Sequence, residues 1–547
     1  MAEWRELQAG LASALGRAED AVESSLDALA RLDAEALEAR QEEAFALMHA
    51  HARLHGARAA RRTGEDAGGH GVELAGPDWL GLTHQAVSLE YLRGALGNLA
   101  ARDDAPPAPL RAFAEDTALP PLIRAGTGDA VNRRVMEHLA QGGLRAAADA
   151  GMDEEMRLLR QSFEAFAEKK VRPMAEALHR EDGLIPDDLI AEAAELGCFG
   201  LSIPAAHGGV QDTADSLGMV VVTESLSAGA LIVGSLITRP EILARALLSG
   251  GTPEQQARFL PAMASGEKMV AISVTEPDHG SDVAGLSLAA RRTEEGWLLN
   301  GAKMWSTFAG RAELLGVLAR TEEDRALGHK GLSLFVVEKP PYHGHDFSHA
   351  QPGGGRLNGR AIATIGYRGM HSYELQFEDY LVPHDNLVGG EQGRGRGFYL
   401  QMEGFAHGRL QTAGRALGVM QAAFDAAMAY AESRRVFGRL LREFPLTRAK
   451  LVAMAGAIHA GRQATYAAAR GMDSGGQRDA SLVKLLTCHQ AEWVTREAMQ
   501  IHGGMGYAEE FPVSRLFADA RVLSIFEGTE EVLALRVLLP GLLHGRV

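Results

Sequence analysis

The stretch MVAISVTEP, residues 269–277, decides the fold, because here a helical pattern gives way to strands. Four similar runs follow it: GWLLNGAKMWST (296–307), LLGVLAR (314–320), GLSLFVVEK (331–339) and YELQFEDYLVP (373–383). Short apolar or alternating runs separated by turns are typical of β-strands. We therefore predict a β domain over residues 269–385.

Helical patterns lie on both sides of these strands. Residues 153–181 form an amphipathic pattern, and beyond the strands apolar residues recur every three or four positions: Leu410, Ala413, Leu417, Met420, Phe424 and Met428. The predicted class is α+β and mostly helical. The predicted domains are an N-terminal helical extension (1–150), a helical domain (151–268), the β domain (269–385) and a C-terminal helical bundle (386–547).

Composition narrows the function. The 547 residues are 46% hydrophobic and 23% charged, as in a globular chain too long for one ordinary core. The formal charge of −16 argues against a nucleic-acid partner. No run of about 18 apolar residues appears, and the opening MAEWRELQ lacks the basic and apolar parts of a signal peptide, so we expect a cytoplasmic protein without membrane attachment.

Other motifs favour unremarkable structure. Cys198 and Cys488 lie far apart and predict buried thiols. GRGRGF (393–398) lacks the context of a phosphate loop and predicts a flexible helix start. Residues 340–372 predict a long loop between strands, and its histidines, as in HGHDFSH (343–349), lack metal-ligand spacing. We predict no metal site.

One combination of motifs is specific. ISVTEPDHGSD or NGAKMWST alone would predict an ordinary strand connection or core packing. Together, in order, the motifs resemble the acyl-CoA dehydrogenase family over about 150–547: ISVTEPDHGSD, NGAKMWST, GLSLFVVEK, FEDYLVPHDNLVG, SRRVFGRLL, QIHGGMGY and FEGTEEV. The resemblance implies a helical domain, a central β-barrel or sandwich and a C-terminal four-helix bundle, with FAD between the last two.

The resemblance also implies the catalytic base. Glu527, in SIFEGTEEV (524–532), matches the family's glutamate that removes the α-proton of an acyl-CoA thioester. We expect this segment to be a buried turn, with Phe526 and Gly528 facing the substrate. Some relatives carry the base elsewhere, at the position of Gly408, which cannot serve.

The remaining site residues follow from the same resemblance. Implied flavin contacts are Val274, Thr275, Trp305, Ser306 and Thr307, with Ser281 near cofactor or substrate and Arg409 near the active site. Implied contacts to the rest of FAD, partly that of a neighbouring subunit, are Arg434, Phe437, Gln500, Gly503, Gly504, Thr529 and Glu531. Glu531 replaces a glutamine of some relatives. A shared cofactor predicts a homo-oligomer, and the N-terminal extension favours a dimer over a tetramer.

The substrate follows from architecture. Length, extension and the long interstrand segment are similar to members that oxidise (2S)-methylsuccinyl-CoA to mesaconyl-CoA in the ethylmalonyl-CoA pathway. A dicarboxylyl thioester brings a free carboxylate that must be paired when buried. Arg239, in GSLITRPEIL (234–243), is the candidate partner, and a surface arginine capping a helix is the alternative.

Three other functions stay open at this point. The chain could act on another short-chain, branched-chain or glutaryl-type acyl-CoA, or pass electrons to oxygen as an oxidase. It could also be a non-catalytic binding relative, which the intact FEGT carboxylate opposes. Electron-transferring flavoprotein is the expected acceptor.

Overall fold

The computed structural model describes residues 2–66, 79–103, 105–149, 151–210, 212, 215–472 and 476–546. The chain forms two compact units. The first contains Met1–Leu159 and Thr412–Val547, and the second contains Arg160–Gln411.

The first unit is built from helices. Its N-terminal helices are α1 Ala2–Ala30, α2 Ala34–Ala39, α3 Gln41–Asp66, α4 Trp79–Arg102, α5 Ala108–Ala114, α6 Leu119–Thr127, α7 Asp129–Ala140 and α8 Gly143–Asp149, and α9 Glu154–Phe166 begins in it.

The second unit contains helices and the sheet. Its helices are α10 Arg172–Glu181, α11 Asp187–Glu195, α12 Ser216–Gly229, α13 Leu231–Gly234, α14 Thr238–Gly250, α15 Pro253–Ala264, α16 Gly390–Gly393 and the start of α17 Gly397–Ser433. Its strands are β1 Val270–Ser273, β2 Ala289–Arg292, β3 Trp297–Thr307, β4 Leu314–Arg320, β5 Leu332–Glu338, β6 Asp346–Ala350, β7 Arg356–Ile362 and β8 Ser372–Val382.

The C-terminal part returns to the first unit. It contains the end of α17, a two-stranded hairpin of β9 Arg435–Val436 and β10 Arg439–Leu440, and the helices α18 Pro445–Met472, α19 Gln477–His502, α20 Gly504–Tyr507, α21 Val513–Leu523, α22 Glu530–Val532 and α23 Leu539–Leu543.

The N-terminal helices pack against this C-terminal part within the first unit. Gly56 of α3 lies so close to α19 that a Cβ there would be 2.7 Å from a methyl group of Leu486. The guanidinium of Arg448 on α18 binds the carboxylate of Asp129 at 2.5 Å. The N-terminal extension is therefore helical, as predicted, and covers one side of α18 and α19.

The sheet of the second unit has eight strands and is curled. Its order is β1-β4-β2-β3-β8-β7-β6, and β5 pairs with β4 outside this path. The β1–β4 and β2–β4 pairs are parallel and the others are antiparallel. Leu247, Phe259 and Met263 of α14 and α15 pack with Leu314 and Val336, so two helices cover this part of the sheet.

The prediction of a long loop over 340–372 is wrong. This segment contains β6 and β7, which pair with each other and extend the sheet beside β8. Their sequences, DFSHA and RLNGRAI, are largely polar, and RLNGRAI contains a glycine. β6 is the edge strand and β7 is its neighbour, and polar strands of this kind lack the apolar alternation that identifies a strand in a sequence.

Two further expectations concern membrane attachment and the two cysteines. No helix within the described part of the chain is both long and apolar enough to cross a membrane. Cys198 and Cys488 are buried free thiols, as predicted.

Candidate active site

The residues proposed from the sequence divide between the two units. Arg239, Ser281 and Arg409, together with the flavin-lining candidates of β1 and β3, belong to the second unit. Glu527 and the candidates from Arg434 onward belong to the first. Each group has its own geometry.

Trp305 stands out in the second unit. The register between β3 and β8 shifts between Lys303 and Ser306, and within this bulge Trp305 has a φ of 59°. Its side chain is 51% exposed. A bulge redirects a side chain, and a non-glycine residue at positive φ is strained, which is common where function requires the conformation. The exposed indole offers a wall for a flat ligand.

Neighbouring candidates are joined to Trp305 by the backbone. The N–H of Met304 donates to the carbonyl oxygen of Thr275 at 2.8 Å, which links β3 to the segment after β1. Thr307 shares a 2.8 Å hydrogen bond with Ser372. The hydroxyl of Ser306 is buried and has no hydrogen-bond partner among the described residues. A buried hydroxyl in this condition is costly, so it suits a ligand that supplies the partner.

A buried ion pair supports this segment and was missed by the sequence reasoning. The ammonium of Lys303 binds the carboxylate of Glu276 at 2.9 Å and donates to the carbonyl oxygen of Val274 at 2.8 Å. The same carboxylate accepts hydrogen bonds from Ser287 and from the N–H of Leu288. The pair therefore fixes the backbone of Val274, and the available signal was a lysine at an inward position of β3.

The pKa values of this pair follow from burial and mutual attraction. Burial lowers the pKa of Lys303 to about 8, although Glu276 acts in the opposite direction. Burial by itself raises the pKa of Glu276, but Lys303 and the N–H of Leu288 outweigh it and leave this pKa below its ordinary value.

Arg239 lies on α14 and is buried, with 5% of its surface exposed. This overturns the alternative of a surface arginine. Its guanidinium donates to the carbonyl oxygen of Ser235 at 3.0 Å and lies 5.9 Å from the ring centroid of Tyr367. No carboxylate in the described part of the chain lies within 4.0 Å of it. A buried cation without an anionic partner is uncommon, because an uncompensated buried charge is costly.

The structure gives the positions of two further candidates of this unit but does not test their predicted roles. Ser281 is exposed in the connection between β1 and β2, and Arg409 is half-buried on α17. Their roles stay predictions.

In the first unit, Glu527 occupies an uncommon backbone conformation. Its φ is 56°, in the left-handed region, and Gly528 follows with a φ of 98°. The expectation of a buried turn is wrong in part, because Ile525 is 48% exposed. Phe526 lies under the guanidinium of Arg415, 4.6 Å from the ring centroid. A strained carboxylate residue between exposed and covered apolar groups points to a functional position.

Polar contacts fasten this segment on both sides. The ammonium of the buried Lys484 donates to the carbonyl oxygen of Gly528 at 2.5 Å. Ser524 donates to Glu530 at 2.9 Å, closing the segment between them. The hydroxyl of Thr529 accepts the N–H of Val532 at 3.3 Å and caps α22. These contacts hold Glu527 in place, whereas Glu531 is exposed.

The Arg434 group is exposed in the single chain. Arg434 precedes the β9–β10 hairpin, and Phe437 at its tip has a φ of 48° and is 95% exposed. Tyr430, one turn before Arg434, stacks on His502 at the end of α19, with ring centroids 4.3 Å apart. The stack joins the hairpin to the second segment, whose candidates Gln500, Gly503 and Gly504 are also exposed. Sequence reasoning missed this stack.

Comparison with known proteins identifies the chain. Models of the acyl-CoA dehydrogenase N-terminal, middle and C-terminal domains match residues 153–267, 271–380 and 395–538. The sequence is 42% identical over 416 residues to (2S)-methylsuccinyl-CoA dehydrogenase of Cereibacter sphaeroides, covering 76% of this chain and 74% of that one. The chain belongs to the acyl-CoA dehydrogenase family.

Solved structures agree with this acyl-CoA dehydrogenase fold. Butyryl-CoA dehydrogenase of Megasphaera elsdenii has a TM-score of 0.66 at 31% identity, covering 72% of this chain and 99% of that one. A glutaryl-coenzyme A dehydrogenase in complex with glutaryl-CoA has a TM-score of 0.66 at 29% identity, covering 72% and 96%.

This acyl-CoA dehydrogenase is therefore a flavoprotein oxidoreductase that uses FAD and acts on CH–CH bonds of CoA thioesters. The residues of the second unit fit a flavin, because the exposed indole of Trp305 offers a flat apolar face. The buried hydroxyl of Ser306 beside it offers a hydrogen bond that the protein leaves unused within the described residues.

Proposed function

We propose that this acyl-CoA dehydrogenase oxidises (2S)-methylsuccinyl-CoA to mesaconyl-CoA, as a step of the ethylmalonyl-CoA pathway. The observation that carries the proposal is the buried guanidinium of Arg239, which has no carboxylate partner within the described residues. A fatty-acyl thioester would leave this cation unpaired, whereas the distal carboxylate of a dicarboxylyl thioester neutralises it. The similarity to (2S)-methylsuccinyl-CoA dehydrogenase selects among dicarboxylyl substrates.

The proposed roles of the other residues follow the chemistry. Glu527 removes the α-proton of the thioester, and Phe526, Gly528, Ser281 and Arg409 line the substrate. FAD, when bound, accepts the β-hydrogen as hydride. The strained backbone at Glu527 orients the carboxylate before the substrate arrives, so binding need not pay for that ordering.

The proposed cofactor contacts divide in the same way. In the second unit they are Val274, Thr275, Ser281, Trp305, Ser306 and Thr307. In the first unit they are Arg434, Phe437, Gln500, Gly503, Gly504, Thr529 and Glu531. The exposure of Arg434 and Phe437 in a single chain supports contact with a neighbouring subunit's cofactor.

Replacing Arg239 by methionine tests the substrate. Truncating one partner of a buried charge pair costs about 2–5 kcal/mol, so kcat/KM for methylsuccinyl-CoA is expected to fall by roughly two to three orders of magnitude. The matched substrate is 2-methylbutyryl-CoA, in which a methyl group replaces the distal carboxylate. Its kcat/KM should stay within about threefold or rise, since no carboxylate is lost.

Two controls complete this test. Arg172→Met removes an exposed arginine of the same unit, paired with Glu168, and should change neither substrate's kinetics. Glutaryl-CoA also carries a distal carboxylate, so comparing its turnover with that of methylsuccinyl-CoA tests which dicarboxylyl thioester is the substrate. An unchanged KM for methylsuccinyl-CoA in Arg239→Met would exclude the role of Arg239, and faster turnover of glutaryl-CoA by the wild type would replace the proposed substrate.

We also propose a homodimer and electron-transferring flavoprotein as the acceptor. The N-terminal helices already cover one side of α18 and α19, which leaves less of the C-terminal bundle for further subunits. Light scattering of the FAD-loaded protein is expected to give twice the mass of one chain, and a tetramer mass would refute the dimer.

The proposed acceptor is tested by the rate at which the reduced flavin is reoxidised. Reoxidation by electron-transferring flavoprotein should be faster than reoxidation by oxygen.

A further inference from the structure

Three potential metal ligands meet in the first unit, outside the residues assigned to catalysis. They are His49 on α3, His489 on α19 and Glu530 at the start of α22. Nε2 of His49 lies 3.6 Å from Oε2 of Glu530, and Nδ1 of His489 lies 3.5 Å from the same oxygen. All three ligand atoms lie within 4.8 Å of one another.

These distances fit ligands of one cation better than hydrogen bonds. An N–H···O hydrogen bond spans about 2.7–3.2 Å, so both contacts are too long. Zinc binds imidazole nitrogen and carboxylate oxygen at about 2.0–2.2 Å, which places the ligands of a tetrahedral site about 3.3–3.5 Å apart. Two histidines and one glutamate also match a ligand set that zinc uses in proteins.

His49 supplies a second, independent observation. Its side chain is 9% exposed, and its Nε2 is buried and has no hydrogen-bond partner in the described part of the chain. The nitrogen nevertheless faces the carboxylate of Glu530. A buried polar atom without a partner is unfavourable, and a cation between these groups would remove that cost.

The surroundings provide what a metal site needs beyond its ligands. Oε1 of Glu530 accepts a 2.9 Å hydrogen bond from Ser524, which orients the carboxylate so that Oε2 faces the imidazoles. Hydrogen bonds of this kind to a ligating carboxylate tune metal affinity. His489 is 54% exposed, which leaves a route for the ion and a fourth position for water.

We propose that His49, His489 and Glu530 bind one Zn²⁺ ion that links the N-terminal extension to the segment carrying Glu527. Ser524 and Glu530 bracket that segment, so the ion would fix its end to α3 and α19. The site would give the N-terminal extension a role in holding the catalytic segment.

A second His/Asp group serves as the comparison. Asp182, His345 and His371 also lie close together. There, Nε2 of His371 is within hydrogen-bonding distance of Asp182 at 3.2 Å, and the guanidinium of Arg368 lies 3.8 Å from the same oxygen. The guanidinium beside Asp182 would repel a metal ion there, so this group is a poorer zinc site. His345 is therefore a matched control.

The test is equilibrium dialysis of the FAD-loaded, full-length protein, stripped with a chelator, against Zn²⁺, with the bound metal counted by mass spectrometry. The wild type is expected to bind about one zinc per chain. His489→Gln is expected to weaken binding by about 100-fold or more, because a direct ligand is lost. His345→Gln should bind as the wild type does. His489 is half-exposed, so its replacement is expected to leave the fold intact. Zinc binding by His49→Gln is measured in the same way as a second ligand variant.

Thermal unfolding gives a second readout. Zinc should raise the Tm of the wild type and of His345→Gln and leave that of His489→Gln unchanged, because a ligand that binds only the folded state stabilises it. Absence of stoichiometric zinc would refute the site. Equal binding by the wild type and His489→Gln, or loss of binding in His345→Gln, would place any zinc elsewhere and refute it as well.

Discussion

Glu527→Gln is expected to abolish substrate-driven reduction of the flavin. Glutamine keeps the shape of the side chain but cannot accept the α-proton, and a positioned general base contributes about 10²–10⁴-fold to such a step. Because Gly528 is held by Lys484 and Ser524 is bonded to Glu530, the segment is expected to keep its conformation in the variant. The measurement is anaerobic bleaching of the flavin by methylsuccinyl-CoA in a stopped-flow instrument.

The control for this variant must separate chemistry from binding. Substrate affinity, measured by titration of the flavin spectrum, should change by less than about tenfold, since the lost interaction belongs to the transition state. Glu510→Gln makes the same charge change at an exposed position of the first unit and should bleach at the wild-type rate. Bleaching by Glu527→Gln at more than a tenth of the wild-type rate would show that another group removes the proton.

The sequence predicted features that depend on local pattern. Strands β3, β4, β5 and β8 appeared where alternating or apolar runs lie between turns, and α17 where apolar residues recur at helical spacing. The pair β6 and β7, at the sheet edge and next to it, was missed because its polar sequences carry no such pattern. Local chemistry therefore identifies buried elements better than exposed ones.

The candidate active site also combines features that the sequence indicates with features that it does not. Glu527 could be named because its motif resembles a family, but neither its positive φ nor the exposure of Ile525 is visible in the letters SIFEGTEEV. The stack of Tyr430 on His502 joins residues distant in sequence, and only the packing of α17 beside α19 brings them together. Contacts of that kind are tertiary and have no local signal.

The pair of Lys303 and Glu276 illustrates why such contacts matter for function. Lys303 lies on β3 and Glu276 lies in the connection after β1, and both side chains are almost fully buried. Their pairing holds the carbonyl group of Val274, which precedes the proposed flavin contact Thr275. The backbone position of the proposed cofactor segment thus depends on an ion pair that no sequence motif indicates.

Lys303→Met is expected to destabilise the protein strongly. Removing one partner of a buried ion pair leaves the other charge uncompensated and typically costs about 3–5 kcal/mol. The carbonyl group of Val274 also loses its donor. For a domain of this size, about 1 kcal/mol shifts Tm by about 2–4 °C, so Tm is expected to fall by about 10 °C. Circular dichroism would measure the shift, and the FAD content of the purified variant should also fall.

A second substitution separates the charge from the packing. Adding Glu276→Gln to Lys303→Met removes the uncompensated carboxylate but keeps one oxygen, which can still accept the hydrogen bonds from Ser287. The double variant should therefore be more stable than Lys303→Met alone, which is a coupling that two independent sites would not show. Lys330→Met, at an exposed position of the same unit, should change stability by less than about 0.5 kcal/mol. If Lys303→Met and Lys330→Met unfolded at the same temperature, the buried pair would not support the cofactor segment.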